Sequence, residues 1–149
     1  METTPLPRQA TLIVNAHSRK GQALFETACQ KLKAAGVSVT SAHAVTDPAE
    51  LQPMVRAAVQ RGTPMLIMGG GDGSLSGVVD ELVGTNCVFA VLPLGTANSF
   101  ARSLDLPLDL DGAIETIANG RRRRVDLGMI DGDYFVNGAS IGLPRSPLP

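Results

Sequence analysis

Residues 65–79, MLIMGGGDGSLSGVV, constrain the fold more tightly than any other stretch of the chain. An apolar run of strand character meets three glycines, an aspartate, a fourth glycine and a serine, and then a segment of helical spacing. Glycine admits positive φ and lets a ligand come close to bare backbone N–H groups. A strand that runs through such a loop into a helix aims several amides, and the positive end of the helix dipole, at one point. That is an anion site, most often a phosphate site. Ser74 fits as the helix cap or as a hydroxyl donor to the ligand. No Gly-Lys-Ser/Thr follows, so this is not a Walker A loop. Nor is it the dinucleotide fingerprint: counted from Gly69, the third glycine would fall on Ser74.

Asp72 stands in the middle of this loop. A carboxylate beside a polyphosphate repels it unless a cation lies between them or amides hold its oxygens. Two readings are open at this point. In one, Asp72 serves Mg²⁺, directly or through water, beside an ATP; in the other it braces its own turn.

The rest of the chain alternates strand and helix. ATLIVN (10–15), VSVTSAHAV (37–45), PMLIM (64–68) and CVFAVLP (87–93) read as strands. Helices are predicted over 21–36, stopped by Gly36, and over 74–84, with Gly77 a weak spot. A further helix covers 110–120, with Ala113, Ile114 and Ile117 inward and Gly120 as its stop. Asp47, Pro48 and Glu50 spell a helix start with a capping box, and Pro53 predicts a kink or a late start. Residues 125–142 read as a β-hairpin turning at Asp131-Gly132. This pattern predicts an α/β fold: an open, mostly parallel sheet flanked by helices, with a C-terminal β-hairpin and ligands at the carboxyl ends of the strands. Loops 15–21, 69–74 and 93–98 converge there.

Composition narrows the partners. The 149 residues fit one domain, 1–149, and aromatics make up only 3%, with no Trp. The core is therefore aliphatic, with Met65 and Met68 among its filling, and base-stacking nucleic-acid platforms are not expected. A formal net charge of −1 argues for no polyanion partner. Cys29 and Cys87 lack metal spacing, METTPLPRQA is no signal peptide, and no apolar run reaches the roughly 18–20 residues that span a bilayer. The expectation is a reduced, cytoplasmic protein. Arg121 to Arg124 follow a helix stop and read first as a solvated cluster, with anionic lipid headgroups as the alternative. His17 reads as a solvated loop residue and His43 as a strand residue facing solvent.

With 69–75 and 93–102 both in view, the chain resembles the catalytic domain of the diacylglycerol kinase family, which includes bacterial lipid kinases and the sphingosine and ceramide kinases. The family's Gly-Gly-Asp-Gly-Thr/Ser stands here as Gly70-Gly71-Asp72-Gly73-Ser74, and its Pro-Leu-Gly-Thr-x-Asn-Asp-Phe-Ala-Arg as PLGTANSFAR (93–102). The first-strand loop stands as NAHSRKG (15–21), and VDLGMIDGDYFVNGASIG is similar to the family's Ile-Asp-Leu-Gly segment, whose Asp126 would support the loops. The glycine motif is shared with NAD kinases and phosphofructokinases; PLGTANSFAR separates them.

The resemblance implies ATP-dependent phosphoryl transfer to a diacylglycerol-like lipid hydroxyl at the inner membrane surface, with Mg²⁺ and Asp72 near the metal. It implies that Gly70, Gly71, Asp72, Gly73, Ser74, Leu75 and Ser76 wrap the phosphates. Gly95, Thr96 and Asn98 would join from the second loop, Thr46 from the side, and Asn15 in the floor. This chain departs from the family at Ser99, where Asp is usual, at Gly77, where many members carry Glu, and at Ala16 and Arg19, which replace Pro and Gly. Arg19 could offer a cation to the phosphates. In the family a β-sandwich domain follows and brings the general base, metal ligands and most of the lipid pocket. Here the chain ends at GLPRSPLP, so the expectation is the nucleotide half alone, with little turnover by itself and self-association left open. A non-catalytic nucleotide-binding module is the alternative, and a kinase of a soluble substrate the weaker one.

Overall fold

The computed structural model describes residues 6–95, 98–122, 127–130 and 133–136. The order is β1 (Gln9–Asn15), α1 (Arg19–Ala34), β2 (Ser38–Val45), α2 (Leu51–Gln60), β3 (Met65–Gly70), α3 (Asp72–Val78) and β4 (Val88–Pro93). Then come α4 (Ser99–Ser103), α5 (Leu110–Asn119), β5 (Leu127–Ile130) and β6 (Asp133–Val136). Strands β1 to β4 form one parallel sheet in the order β2-β1-β3-β4. The chain steps from β1 outward to β2, then crosses back to place β3 on β1's other side. That reversal opens a crevice at the carboxyl ends of β1 and β3.

Helices cover both faces, as the predicted open α/β sheet requires. On one face Leu32 of α1 and Ile114 and Ile117 of α5 pack with Leu12, Val14 and Ile67. On the other, Val55 of α2 and Leu75 of α3 pack with Ile13, Leu66 and Met68. The central strands are apolar on both sides because both sides are buried, which is why they read as continuous runs. The buried Thr11 hydroxyl is satisfied by donating to Thr63 Oγ1 at 2.9 Å, and Thr63 donates to the Met65 carbonyl at 3.1 Å.

Local chemistry sets the helix ends. Ser18 accepts from the Gly21 amide, so α1 starts at Arg19, ahead of the predicted 21. Gly36 follows it at φ +93°, as expected of a helix stop. Asp47 accepts from the Ala49 amide to cap a 3₁₀ turn, Pro48–Glu50, which stands in place of the capping box. Helix α2 therefore starts late, with Pro53 in its first turn, where a missing N–H breaks no helical bond. Helix α3 starts at Asp72 rather than Ser74 and gives way, just past Gly77, to a 3₁₀ turn, Val79–Leu82. Gly120 ends α5 in extended backbone, and a Cβ there would lie 2.5 Å from the Thr116 carbonyl oxygen. Strands β5 and β6 pair antiparallel, with Ile130 opposite Asp133; the predicted turn residues Asp131 and Gly132 lie outside the described residues.

Candidate active site

Three loops meet at the crevice. Asn15, the last residue of β1, donates from Nδ2 to Ser74 Oγ at 2.7 Å and so ties the first loop to α3 across the sheet's reversal point. The same side chain accepts from the His17 amide at 3.0 Å. Gly70 ends β3 directly over Ser74, where a Cβ would lie 2.8 Å from Ser74 Cβ. Gly71 and Gly95 then touch backbone to backbone: a Cβ on Gly95 would lie 2.7 Å from Gly71 Cα, and one on Gly71 3.0 Å from Gly95 Cα. No described glycine of 69–73 has positive φ; among the described residues the positive-φ glycines are Gly36, Gly62 and Gly84. The loop uses glycine's small size, not its conformational freedom.

Asp72 braces, but not its own turn. Its Oδ2 accepts from the Ser99 amide and its Oδ1 from the Phe100 amide, each at 2.9 Å. These amides open α4, whose own N-cap residue, Asn98, makes no side-chain cap. Asp72 thus supplies the cap from another loop. Phe100 is held further by an edge-to-face contact with Phe89, ring centres 6.0 Å apart. The Phe100 amide first, then the Ser99 amide, hold the Asp72 carboxyl below the usual carboxylate range. Asn98 lies buried at a left-handed φ of 51° and closes a ring with Gly95, accepting from its N–H at 2.8 Å and donating to its carbonyl at 3.0 Å. Both ends of the Asn98 amide thus shape the loop rather than face a ligand.

The groups left for a ligand sit at the start of α3. The amides of Asp72, Gly73 and Ser74 lie in its first turn, where no preceding helical carbonyl can accept them. Gly73 is exposed, with nothing within 4 Å of the place a Cβ would take. Ser74 Oγ accepts from Asn15 and keeps its proton to donate. Leu75 corrects the motif-based assignment: its side chain is fully buried in the core and its amide donates to the Gly71 carbonyl. It can touch a ligand with neither. Ser76 is exposed and donates to the Gly73 carbonyl at 3.4 Å. Thr46 is exposed just past β2, and its carbonyl lies 3.2 Å from His17 Nδ1, joining the first loop to the end of β2. Thr96 and Asp126 lie outside the described residues.

For a cation, the described residues hold no group of three His, Cys, Asp or Glu side chains that could form a cage. Asp72 is the one carboxylate of the glycine loop, and its oxygens already accept from the Ser99 and Phe100 amides. This donor set fits Mg²⁺ that takes most of its ligands from phosphate and water, as Mg²⁺ prefers. Burial pushes the Cys87 thiol up to about 11 and raises that of Cys29, so neither offers a ready thiolate. Arg122 lies with Thr63, Pro64, Thr85 and Cys87 at the opposite end of the sheet. Arg123 and Arg124 lie outside the described residues. Among the described residues no helix is long and apolar enough to cross a membrane.

Comparison with known proteins shows the family. The diacylglycerol kinase catalytic domain matches residues 9–130. A diacylglycerol kinase of Bacillus subtilis is 34% identical over 142 residues, covering 91% of this chain and 46% of that protein. One from Staphylococcus epidermidis is 36% identical over 141 residues, covering 91% and 44%. The chain thus spans about half the length of the curated relatives it matches. The crystal structure of a diacylglycerol kinase from Bacillus anthracis superposes with a TM-score of 0.72 at 23% identity, over 86% of this chain and 45% of that one, which supports the fold. The strand-loop-helix at 65–78, the second loop it touches and the match over 9–130 place this chain in the diacylglycerol kinase catalytic domain family.

Proposed function

We propose that this chain is the nucleotide-binding half of an ATP-dependent lipid kinase that transfers the γ-phosphoryl of ATP to the hydroxyl of a diacylglycerol-like lipid. The observation that carries the reading is the contact of Gly71 with Gly95, which sets the bare amides of 72–74 beside a second loop at the sheet's reversal point. Backbone amides aimed at one place hold a polyphosphate without any side-chain cation. Phosphoryl transfer asks little covalent chemistry of a protein and much positioning, which such a cradle supplies. Ser74 donates its hydroxyl to a phosphate oxygen while Asn15 fixes its direction. Asp72 holds the second loop in place and would serve a bound Mg²⁺ through water. Mg²⁺, when bound, neutralises charge on the β- and γ-phosphates. The lipid is met at a membrane surface on the cradle's side of the sheet, so Arg122, at the far end, is not its headgroup contact.

Calorimetry of ATP into the purified chain, with and without Mg²⁺, tests this. Saturable, Mg²⁺-dependent binding is expected, weakened in Asp72→Ala. A folded chain that binds no ATP overturns the reading, and unchanged affinity in a folded Asp72→Ala variant removes Asp72 from the site.

A second reading, a module that binds nucleotide without catalysis, is favoured by one feature. The cradle's own carboxylate, Asp72, has both oxygens accepting amides and a lowered pKa, which makes it a weak general base. The 149-residue chain alone is therefore expected to phosphorylate diacylglycerol vesicles little or not at all. Robust turnover in that assay would reject the second reading.

A further inference from the structure

A cavity of about 520 Å³ opens at the amino end of the sheet, away from the cradle. Its frame is the pair of connections that feed β3 and β4, with Thr63 and Pro64 on one side and Thr85 and Asn86 on the other. The Val88 amide donates to the Pro64 carbonyl at 3.0 Å and ties the two together. Pro7 and Val59 add apolar wall, and Arg122, exposed just past α5, completes the lining. The volume is that of a small-molecule site.

The polar groups of this lining sort into spent and free. Thr63 Oγ1 donates to the Met65 carbonyl at 3.1 Å, and Thr85 Oγ1 to the Leu82 carbonyl at 2.7 Å. Each hydroxyl has thus used its one proton. The end of α2, whose bare carbonyls would draw a cation, is already closed. There the amides of Arg61, Gly62 and Thr63 donate to the carbonyls of Ala57, Val59 and Ala58. By contrast, the backbone N–H and the side-chain amide of Asn86 have no partner among the described residues. Arg122 takes part in neither ion pair of the described residues, which are Lys31–Asp111 and Arg56–Glu81. Among the described residues no Asp or Glu lines the cavity. The two acids of the connection that carries Asn86 stand outside it: Glu81 is bound by Gln52 and Arg56, and Asp80 has one oxygen buried. What remains is a set of donors, one of them a cation, with apolar walls behind them.

We propose that this cavity is a second ligand site, which takes a small organic anion. The carboxylate or phosphate head lies on the Arg122 guanidinium, whose paired N–H groups match two oxygens at once, and on the two amide groups of Asn86. The apolar body lies against Pro7, Val59 and Pro64. An arginine at the mouth of an acid-free cavity has a use that a merely solvated arginine lacks. β3 and β4 separate this site from the cradle by their whole length, roughly 20 Å for six residues, so it stands independently of nucleotide binding.

Titration of the ¹⁵N-labelled 149-residue chain with octyl phosphate, octanoate and octanol, followed by amide NMR, tests this. At least one of the two anions is expected to shift the amides of Thr63, Asn86 and Cys87 saturably, and the tighter of them names the head. Octanol, with the same body and no charge, should bind at least about tenfold more weakly. Arg122→Gln and Asn86→Asp, both at exposed positions, should each weaken the anion by about tenfold with unchanged circular dichroism. The proposal is overturned if neither anion shifts residues 63 and 85–87, or if the shifts are confined to the amides of 72–74. Octanol bound as tightly as the anions, or affinity indifferent to both substitutions, overturns it equally.

Discussion

Glycines at the two ends of the sheet solve different problems. Gly36, Gly62 and Gly84 turn the chain from helix or 3₁₀ turn toward the next strand, at φ of +93°, +82° and +78°. Around Gly62 and Gly84 there is open space for a side chain, so conformation is what excludes one. At the other end Gly70, Gly71 and Gly95 lie outside the positive-φ set, yet a Cβ on any of them would lie within 3.0 Å of another atom. Those glycines are required by proximity, and the proximity joins the two loops of the cradle. A glycine that reverses the chain concerns stability alone, whereas one that admits a neighbouring backbone builds a site.

Substitution separates the two kinds. Gly95→Ala is expected to have the largest effect, because its methyl would press on Gly71 Cα at 2.7 Å and on Asn98 Oδ1 at 3.1 Å. Backbone on the far side cannot rotate away, so the loops must part. Overpacking of this kind costs about 1–3 kcal/mol, and ATP affinity measured by calorimetry should fall by about tenfold to a hundredfold. Wild-type affinity in this variant would break the link between the loop contact and the site. Gly84→Ala comes next. It forces a left-handed alanine in open space and should lower unfolding stability in urea by about 1–2 kcal/mol while leaving ATP affinity unchanged. A matching loss of ATP binding would show that the two ends are not separable.

The sequence told one kind of glycine from the other only in part. Gly36 was legible as a helix stop because an amphipathic period ran up to it. The loop at 69–74 was read as a ligand loop from two properties of glycine, positive φ and the close approach of a ligand; its described glycines show no positive φ, and the close approach seen is that of the residue 95 backbone. Sequence order gives no measure of that distance. The target of Asp72 was hidden for a related reason, since the amides of Ser99 and Phe100 are backbone groups 27 and 28 residues away and carry no mark in the sequence. Leu75 was readable in principle: with Val78 and Leu82 it forms the apolar side of the segment, and the motif's resemblance overrode that spacing. The strands were plain because burial on both faces leaves few alternatives, whereas Pro53 left two, a kink or a late start, and α2 takes the second.

Gly73 belongs to neither kind and gives the finest test of the comparison. It has no positive φ, and nothing lies within 4 Å of its absent Cβ, so no feature of the chain itself requires a glycine there. It sits in the first turn of α3, where alanine is the better helix former by about 0.5–1 kcal/mol. Gly73→Ala should therefore raise the melting temperature slightly, by about 2 °C. If the amides of 72–74 hold phosphate, that open space is needed by the ligand, and the methyl should weaken ATP binding by several-fold even as the fold gains. Opposite signs in calorimetry and thermal melting would make the glycine a feature of the ligand rather than of the fold. A variant that is more stable and binds ATP as before would mean that the phosphates run past some other part of the loop, with Gly71 and Ser74 the next positions to probe.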